Sequence, residues 1–324
     1  MKTANQLSKY FMSLLLTWGL LVVSPLARAD EDPKAPPEAQ PEEQTWEQWF
    51  IHSNIAVSKW FDGAAEGLDI FLVGKKLTTK RQDSFMRIEN ATSSSEGIRP
   101  VNSTSFVVNP RLPNLEEYWH LKFTTYDEQQ ESRNAKNDYL RQNERRQNYG
   151  ASVGLFKKLG SVRTAFQPRV EIANPLKVSH SLTFESVAES KTYYINPKLE
   201  FYANADKGTG IFQALNFNFY LSKIYTVTLI NQGDYQDYLN LYTVTNGVSV
   251  GQSLDERTAI AYNLFFVTTN KPSYILENYN FSIACSQLVY KRILDFAIIP
   301  NVDFAYGNNF KPIAGLTVAF NLNF

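Results

Sequence analysis

Hydrophobic and polar residues alternate along most of the chain after residue 83, and a period of two predicts β-strands. The clearest alternation lies in residues 313–324. The apolar face of that stretch is formed by Leu316, Val318, Phe320, Leu322 and Phe324. Similar alternation recurs in residues 162–172, 176–185, 193–202, 214–221, 260–266, 278–284 and 294–304. Because the formal charges in these runs fall on one face, each predicted strand has an apolar side and a polar side.

The alternation is weaker between residues 84 and 126. Residues 84–92 and 102–109 predict a first hairpin, with residues 93–100 as its connection, and residues 117–126 predict the next strand. Residues 127–147 hold five acids and five bases without apolar periodicity. That composition predicts a long solvated loop, with room for a short helix.

The connections between strands indicate how the sheet is arranged. Tight turns alternate with longer polar loops at residues 204–210, 231–237, 268–273 and 307–312. We therefore predict an all-β fold over residues 83–324, an antiparallel transmembrane β-barrel of about 14 strands. If the weak first hairpin is not inserted, the count is 12.

The chain before the strands divides into three parts. Residues 1–29 read as a signal peptide, with Lys2 and Lys9 before an apolar core at 11–23 and a small-residue cleavage site at 27–29. A membrane anchor is the alternative. Residues 30–44 hold four prolines and six acids, which predicts an acidic tether. Residues 45–82 comprise an amphipathic helix and a connector.

The predicted helix covers residues 45–61 and extends as far as residue 71 on its longest reading. Its apolar stripe includes Trp46, Trp49, Phe50 and Trp60. The stripe either packs on the barrel rim or lies in the inner leaflet of the membrane. A barrel of this strand number encloses a lumen wider than its own side chains fill, so something must narrow it. A Trp-rich face suits a charged lumen poorly, and we therefore place the helix at the periplasmic rim.

Composition narrows the classes of function. The charges balance at 32 bases and 32 acids, and loss of the signal peptide leaves the mature chain slightly acidic, so we expect no nucleic-acid partner. Cys285 is the single cysteine, which excludes a disulfide framework. Aromatic residues make up 14% of the chain. This fits the aromatic girdles of a membrane barrel, although a soluble β-sandwich can be equally aromatic.

The alternating strands and the C-terminal phenylalanine resemble those of bacterial outer-membrane β-barrel proteins. The resemblance implies a location in the outer membrane of a Gram-negative bacterium, with a periplasmic N-terminal segment. It also implies contact with outer-membrane lipid and recognition by the barrel-insertion machinery through Phe320, Leu322 and Phe324. Residues 68–71, 74–76, 87–88 and 112–114 resemble the start of an uncharacterised group of proteobacterial exported proteins, and this resemblance implies no particular activity. The oligomeric state stays open.

Few residues suggest catalysis. His52, His120 and His180 have no metal-ligand spacing to one another or to Cys285, so we expect neither a metal nor another cofactor. His52 and Ser53 resemble the His and Ser of outer-membrane phospholipases but lie on the predicted helix. His180, beside Ser179 and Ser181, is the other candidate for a barrel lipid hydrolase. On the predicted register it lies on the apolar face of its strand, as an interfacial residue. We expect no enzyme.

The polar face of the strands is the remaining candidate site. Its lumen-lining residues are predicted to be His120, Lys122, Arg163, Arg169, Glu171, Lys177, Glu185, Lys198, Glu200, Asp295 and Asp303. They either neutralise one another as structural ion pairs or line a water-filled pathway without strong charge selectivity. The leading prediction is a modest pore for small polar solutes with a mixed-charge lumen. A non-conducting structural or partner-binding barrel is the alternative.

Overall fold

The computed structural model describes residues 45–73, 84–110, 119–142, 149–290 and 293–324. The predicted signal peptide, tether and connector lie outside these ranges. The described part of the chain begins with one long helix, α1 (Trp46–Val73), and holds fifteen strands. Their order is β1 (Phe85–Ser95), β2 (Ile98–Asn109), β3 (Trp119–Thr124), β4 (Gly150–Leu159), β5 (Val162–Glu171), β6 (Lys177–Ser186), β7 (Ala188–Glu189), β8 (Tyr193–Asn204), β9 (Gly208–Tyr220), β10 (Tyr225–Gln236), β11 (Leu241–Ser253), β12 (Thr258–Thr269), β13 (Ile275–Tyr290), β14 (Leu294–Ala305) and β15 (Pro312–Asn323).

Neighbouring strands pair in chain order, and two further pairings close the sheet on itself. β1 pairs antiparallel with β15 from Arg87↔Asn323 to Ser95↔Gly315. β6 pairs with β8 from His180↔Ala203 to Glu185↔Lys198, which leaves the two-residue β7 as a side pairing of β8. The wall is therefore a closed antiparallel barrel of fourteen strands, as the alternation predicts.

The first hairpin belongs to this wall, so the count of fourteen is confirmed and the alternative of twelve is wrong. Its predicted connection at residues 93–100 is also wrong, because β1 and β2 run on to a tight turn at Glu96 and Gly97. Gly97 has φ of +76°, a conformation that glycine adopts at little cost. Likewise, most of the predicted loop at residues 231–237 belongs to β10.

Register assigns the two faces of the wall. On β14 and β15 the pairs Phe296↔Phe320 and Ile298↔Val318 lie on the outer face, where Phe320 and Ile298 are exposed to the surroundings of the barrel. Between them, Ala297↔Ala319 lies on the inner face and is buried. Apolar side chains on the outside and small or polar ones inside are the arrangement of a barrel whose solvent is lipid.

The hairpin of β1 and β2 departs from this rule on its outer face. Asn90 is paired with Phe320 and Thr104, and Thr92 with Val318 and Asn102. The polar side chains bond to one another: Asn90 Nδ2 donates to Thr104 Oγ1 at 2.6 Å and Asn102 Nδ2 donates to Thr92 Oγ1 at 2.7 Å. This mutual bonding lowers the cost of placing amides and hydroxyls on an apolar surface.

Helix α1 lies at the end of the barrel where β1 begins and β15 finishes, which we call the proximal end. Asn54 Nδ2 donates to the backbone carbonyl of Asn323 at 2.8 Å. Trp46, Trp49 and Trp60 are 67%, 63% and 72% exposed. The amphipathic helix is confirmed and is longer than the 45–61 core of the prediction, since Gly63 and Gly67 do not end it. No described helix combines the length and the apolar character that a membrane crossing needs.

Candidate functional site

The described part of the segment between β3 and β4, residues 125–142, runs inside the barrel. It carries two short helices, α2 (Glu128–Ser132) and α3 (Ala135–Leu140). Its side chains touch β5, β6, β8, β10, β12, β13, β14 and β15. A segment can reach strands so far apart around the wall only from within the lumen. We call residues 125–142 the inserted segment. The prediction of a solvated loop is wrong for this part, whereas the short helix is confirmed.

Local capping holds the two helices, which are too short to be stable by propensity. The carboxylate of Asp127 accepts hydrogen bonds from the backbone N–H groups of Gln129 and Gln130 at 3.1 and 3.2 Å. Asn134 caps α3 by accepting from the N–H of Asn137 at 3.2 Å. Asp and Asn are among the preferred residues at this position. Arg141 ends α3 in the left-handed region, with φ of +49°.

A buried ion pair attaches the middle of the inserted segment to β8. Arg133 donates to Glu200 Oε1 from Nη2 at 2.6 Å and from Nε at 3.2 Å. The guanidinium group also stacks on the ring of Tyr202, with Cζ 3.6 Å from the ring centroid. Lys198 lies 2.9 Å from the second oxygen of Glu200. The carboxylate of Glu200 thus faces two cations, as a charge in such a position must if it is to stay ionised.

A second polar attachment joins α3 to the opposite part of the wall. Lys136 Nζ donates to Asp303 Oδ1 and to Asn278 Oδ1, each at 2.9 Å. Asn280 donates to the same Asp303 oxygen at 3.0 Å. At the start of α3, the backbone N–H of Ala135 donates to Gln232 Oε1 at 3.2 Å. β10, β13 and β14 therefore all hold α3.

Apolar contacts complete the attachment of α3. Leu140 is fully buried against Ala297 and Ile299 on the inner face of β14. Tyr139 packs edge to face on Phe265, with ring centroids 5.3 Å apart. Small inner-face residues such as Ala297 give Leu140 its space, which explains why an aliphatic side chain lies inside a polar barrel.

The two ends of the inserted segment are also bonded to the wall. At its start, Glu128 pairs with Lys122, and Gln129 donates to Gln167 at 2.8 Å while accepting from Ser181 at 2.8 Å. At its end, Gln142 donates to Thr317 at 3.2 Å. These contacts fix the segment across the width of the lumen.

Two adjoining cavities lie beside the inserted segment, one between it and β1, β2 and β15 and the other at the proximal end, bordered by β1 and by strands from β11 to β15. The inner cavity has a volume of about 200 Å³ and is lined in part by Glu89, Glu131 and Asp138. The cavity at the proximal end has about 460 Å³ and is lined in part by the turn at residues 255–257. Arg87 and Arg141 line both cavities. We call the two cavities together the side passage.

The predicted lumen residues all share the inner face, but they do not form one site. Lys122, Glu200 and Asp303 bind the inserted segment, and Asp295 lies 3.9 Å from Arg141. The others make contacts within the wall. Arg169 lies 3.5 Å from Glu171, Glu185 accepts from Asn196 at 2.7 Å, His120 and Arg163 both pack on Phe156, and Lys177 pairs with Asp206 at an exposed rim.

Sequence reasoning missed the residues that the inserted segment brings to the site. These are Arg133, Lys136, Arg141, Glu131 and Asp138. Arg87 and Glu89 of β1 were missed as well. The capping residues Asp127 and Asn134, followed by the apolar pair at 139–140, are signals that could have found the helices. No sequence signal names the partners, because these lie on distant strands.

The catalytic candidates do not come together in the described part of the chain. His180 lies on the outer face, with its ring 6.3 Å from that of Phe166, whereas Ser181 points inward and donates to Gln129. No group of three His, Cys, Asp or Glu residues within the described ranges could hold a metal ion. The predicted assignment of His180 to the outer, apolar face is confirmed.

Comparison with known proteins gives structural likeness only. No family model and no curated protein matches the chain. The KdgM porin matches 74% of this chain and 99% of its own, at 7% identity and a TM-score of 0.36. An OmpT loop-deletion mutant of Vibrio cholerae matches 75% of this chain and 99% of its own, at 7% identity and a TM-score of 0.48. The outer membrane channel DcaP of Acinetobacter baumannii matches 75% of this chain and 97% of its own, at 7% identity and a TM-score of 0.44. The closed β-barrel with an apolar outer face follows from the strand pairing and register of this chain itself. Likeness at this level adds nothing about solute or mechanism.

Proposed function

We propose that this outer-membrane barrel is a narrow channel for small polar solutes, which cross it through the side passage. The observation that carries the proposal is the pair of adjoining cavities that continue from beside the inserted segment to the proximal end of the barrel. Their lining is polar and charged, so water and hydrated solutes are the natural contents. The cavity volumes, about 200 and 460 Å³, limit the contents to small molecules.

The inserted segment sets the width of this channel. It is attached to the wall by Arg133, which lies between the two helices, and by Lys136 and Leu140 of α3, and none of the three lines the cavities. The side that borders the cavities carries Glu131 and Asp138. The segment thus occupies one part of the lumen and leaves another for transport. The proximal end is periplasmic in this proposal, because barrels of this class place their short turns there.

A non-conducting barrel is the second candidate, and one observation favours it. The inserted segment reaches strands from β5 to β15 and buries Leu140 completely, so it is held as firmly as a plug would be. In that case the side passage is a water pocket rather than a path. The two candidates differ in whether current flows.

Conductance of the purified protein in planar lipid bilayers tests the proposal. We expect small, steady single-channel steps from the full barrel. Replacement of residues 128–141 by a flexible Gly-Ser linker of the same length should raise the conductance several-fold, because it removes the side chains that fill the lumen and bind the wall. Lys223→Ala, in an exposed turn away from the passage, serves as the matched control and should leave conductance unchanged. A silent full barrel combined with a conducting linker variant would instead identify the segment as a plug.

A further inference from the structure

Helix α1 turns one of its sides to the barrel. Asn54 marks that side, because it is buried and donates to the backbone carbonyl of Asn323. An α-helix turns by about 100° per residue, so residues three, seven and eleven positions further along share the side. Val57, Phe61 and Ala65 occupy these positions, and all three are buried or half-buried.

The three tryptophans of α1 lie on one flank, to one side of the barrel contact. Trp60 follows Trp49 by eleven residues, about three turns, so the two side chains project in nearly the same direction. Trp46 belongs to the same flank, and all three side chains are largely exposed. The opposite flank is mainly polar, with one apolar exception. Its exposed residues are Gln48, His52, Ile55 and Lys59.

The attachment point of α1 lies at the border of the apolar outer face of the wall. Phe320 and Leu322 alternate outward at the end of β15, and Asn323, which accepts the bond from Asn54, comes directly after Leu322. The strand that follows α1 in the chain is β1, which pairs with β15. A flank of α1 turned outward at this place continues the apolar surface of the wall past the ends of the strands.

We propose that α1 is an interfacial helix, which lies on the membrane leaflet at the proximal end with Trp49 and Trp60 inserted among the lipid headgroups. Indole rings favour this zone because they join a large apolar area to an N–H donor. The flank with Lys59 then faces water. The reverse orientation would turn Lys59 to lipid and leave the exposed indoles in water. The inference goes beyond the proposed channel and holds whether or not the barrel conducts.

Tryptophan fluorescence of the purified protein in vesicles of phosphatidylethanolamine and phosphatidylglycerol tests the inference. Lipids brominated near the headgroup quench indoles at the interface, because bromine quenches on contact. The matched control adds Trp60→Phe and Lys59→Trp, which moves the indole to the opposite flank at nearly the same height along α1. The test variant keeps Trp60 as its single tryptophan and carries Trp18→Phe, Trp46→Phe, Trp49→Phe and Trp119→Phe.

We expect brominated lipid to lower the emission of Trp60 roughly twofold or more, as for the apolar face of an interfacial helix. The Lys59→Trp control should lose much less. Equal quenching of the two variants, or emission of Trp60 at the wavelength of an indole in water, overturns the inference. Short-wavelength emission without quenching also overturns it, because the indole then packs on protein.

A second variant makes the result independent of any one substitution. It keeps Trp49 in place of Trp60 and should show the same quenching, since the two residues share a flank. Heat-dependent gel mobility shows that each variant still forms a barrel. Quenching of Trp60 without quenching of Trp49 would contradict a helix lying flat on the leaflet.

Discussion

Arg133 and Glu200 form an ion pair inside the barrel, 2.6 Å apart, with side chains that are only 7% and 1% exposed. One partner belongs to the inserted segment and the other to the wall strand β8. Each charge is removed from water and depends on the other for compensation. Loss of either partner should therefore both free the inserted segment and leave a buried charge without its counter-ion.

Arg133→Met should release the inserted segment. It leaves Glu200 buried with Lys198 as its remaining cation and ends the stacking on Tyr202. We expect a loss of about 2–3 kcal/mol in the free energy of unfolding, typical of a lost bond to a buried charge. Thermal unfolding in detergent measures it, and single-channel records should become noisier. The double variant Arg133→Met with Glu200→Gln is the control, since it leaves no unpaired carboxylate and should recover part of the stability.

Gly210→Ala should disturb the same attachment from the wall side. A Cβ at Gly210 would lie 2.2 Å from Cζ of Tyr202 and 2.5 Å from the carbonyl oxygen of Tyr235. The ring must move, and the stacking surface for Arg133 moves with it. We expect a lower unfolding temperature and increased protease cleavage between residues 128 and 142. Gly307→Ala is the matched control, because a Cβ there meets nothing within 4 Å. Equal behaviour of the two variants would contradict the prediction.

Leu140→Ala should loosen α3 by creating a cavity against Ala297 and Ile299. Buried Leu→Ala changes cost about 2–5 kcal/mol, according to how far the site can collapse. We expect a loss of stability within that range and a larger single-channel conductance, because α3 is held less firmly. Ile172→Ala, at a position that is 79% exposed, provides the comparison and should change neither quantity.

Removal of residues 30–73 should leave the barrel closed and its conductance nearly unchanged. In the described residues, α1 is bonded to the end of β15 through Asn54, and the inserted segment has its own attachments to the wall. Gel mobility and planar-bilayer recordings check the outcome. A large rise in conductance would show that α1 obstructs the proximal mouth. Asn54→Ala, which removes only the bond to Asn323, separates the effect of that contact from the effect of the helix as a whole.

The wall could be predicted from the sequence because the alternation of outward and inward residues is visible within each single strand. In β14, Phe296 and Ile298 alternate with Ala297, and neighbouring residues alone show which side faces lipid. The alternation is weaker in the hairpin of β1 and β2, and the reason is also physical. Asn90, Thr92, Asn102 and Thr104 occupy outward positions and satisfy one another across the two strands, a compensation that no single strand displays.

The inserted segment could not be placed from the sequence. Its helices span five and six residues, too few for a 3.6-residue period to be recognised. Arg133 and Lys136 have the composition of a solvated surface until Glu200 and Asp303 are known to face them. Charge balance in this chain is achieved across the lumen rather than along the sequence.

The positions of the wall residues that bind the inserted segment have a consequence for the order of assembly. The bonds from Arg133 to Glu200, Lys136 to Asp303 and Gln142 to Thr317 span 67, 167 and 175 residues. Synthesis reaches the inserted segment long before the strands that receive it, and β1 meets β15 only when the last residues arrive. The contacts of the segment with β8 to β15 can therefore form only after those strands have been made and placed in the wall. Contacts of such long range make folding slow, so the rate of barrel maturation should depend on this interior loop as well as on the strands around it.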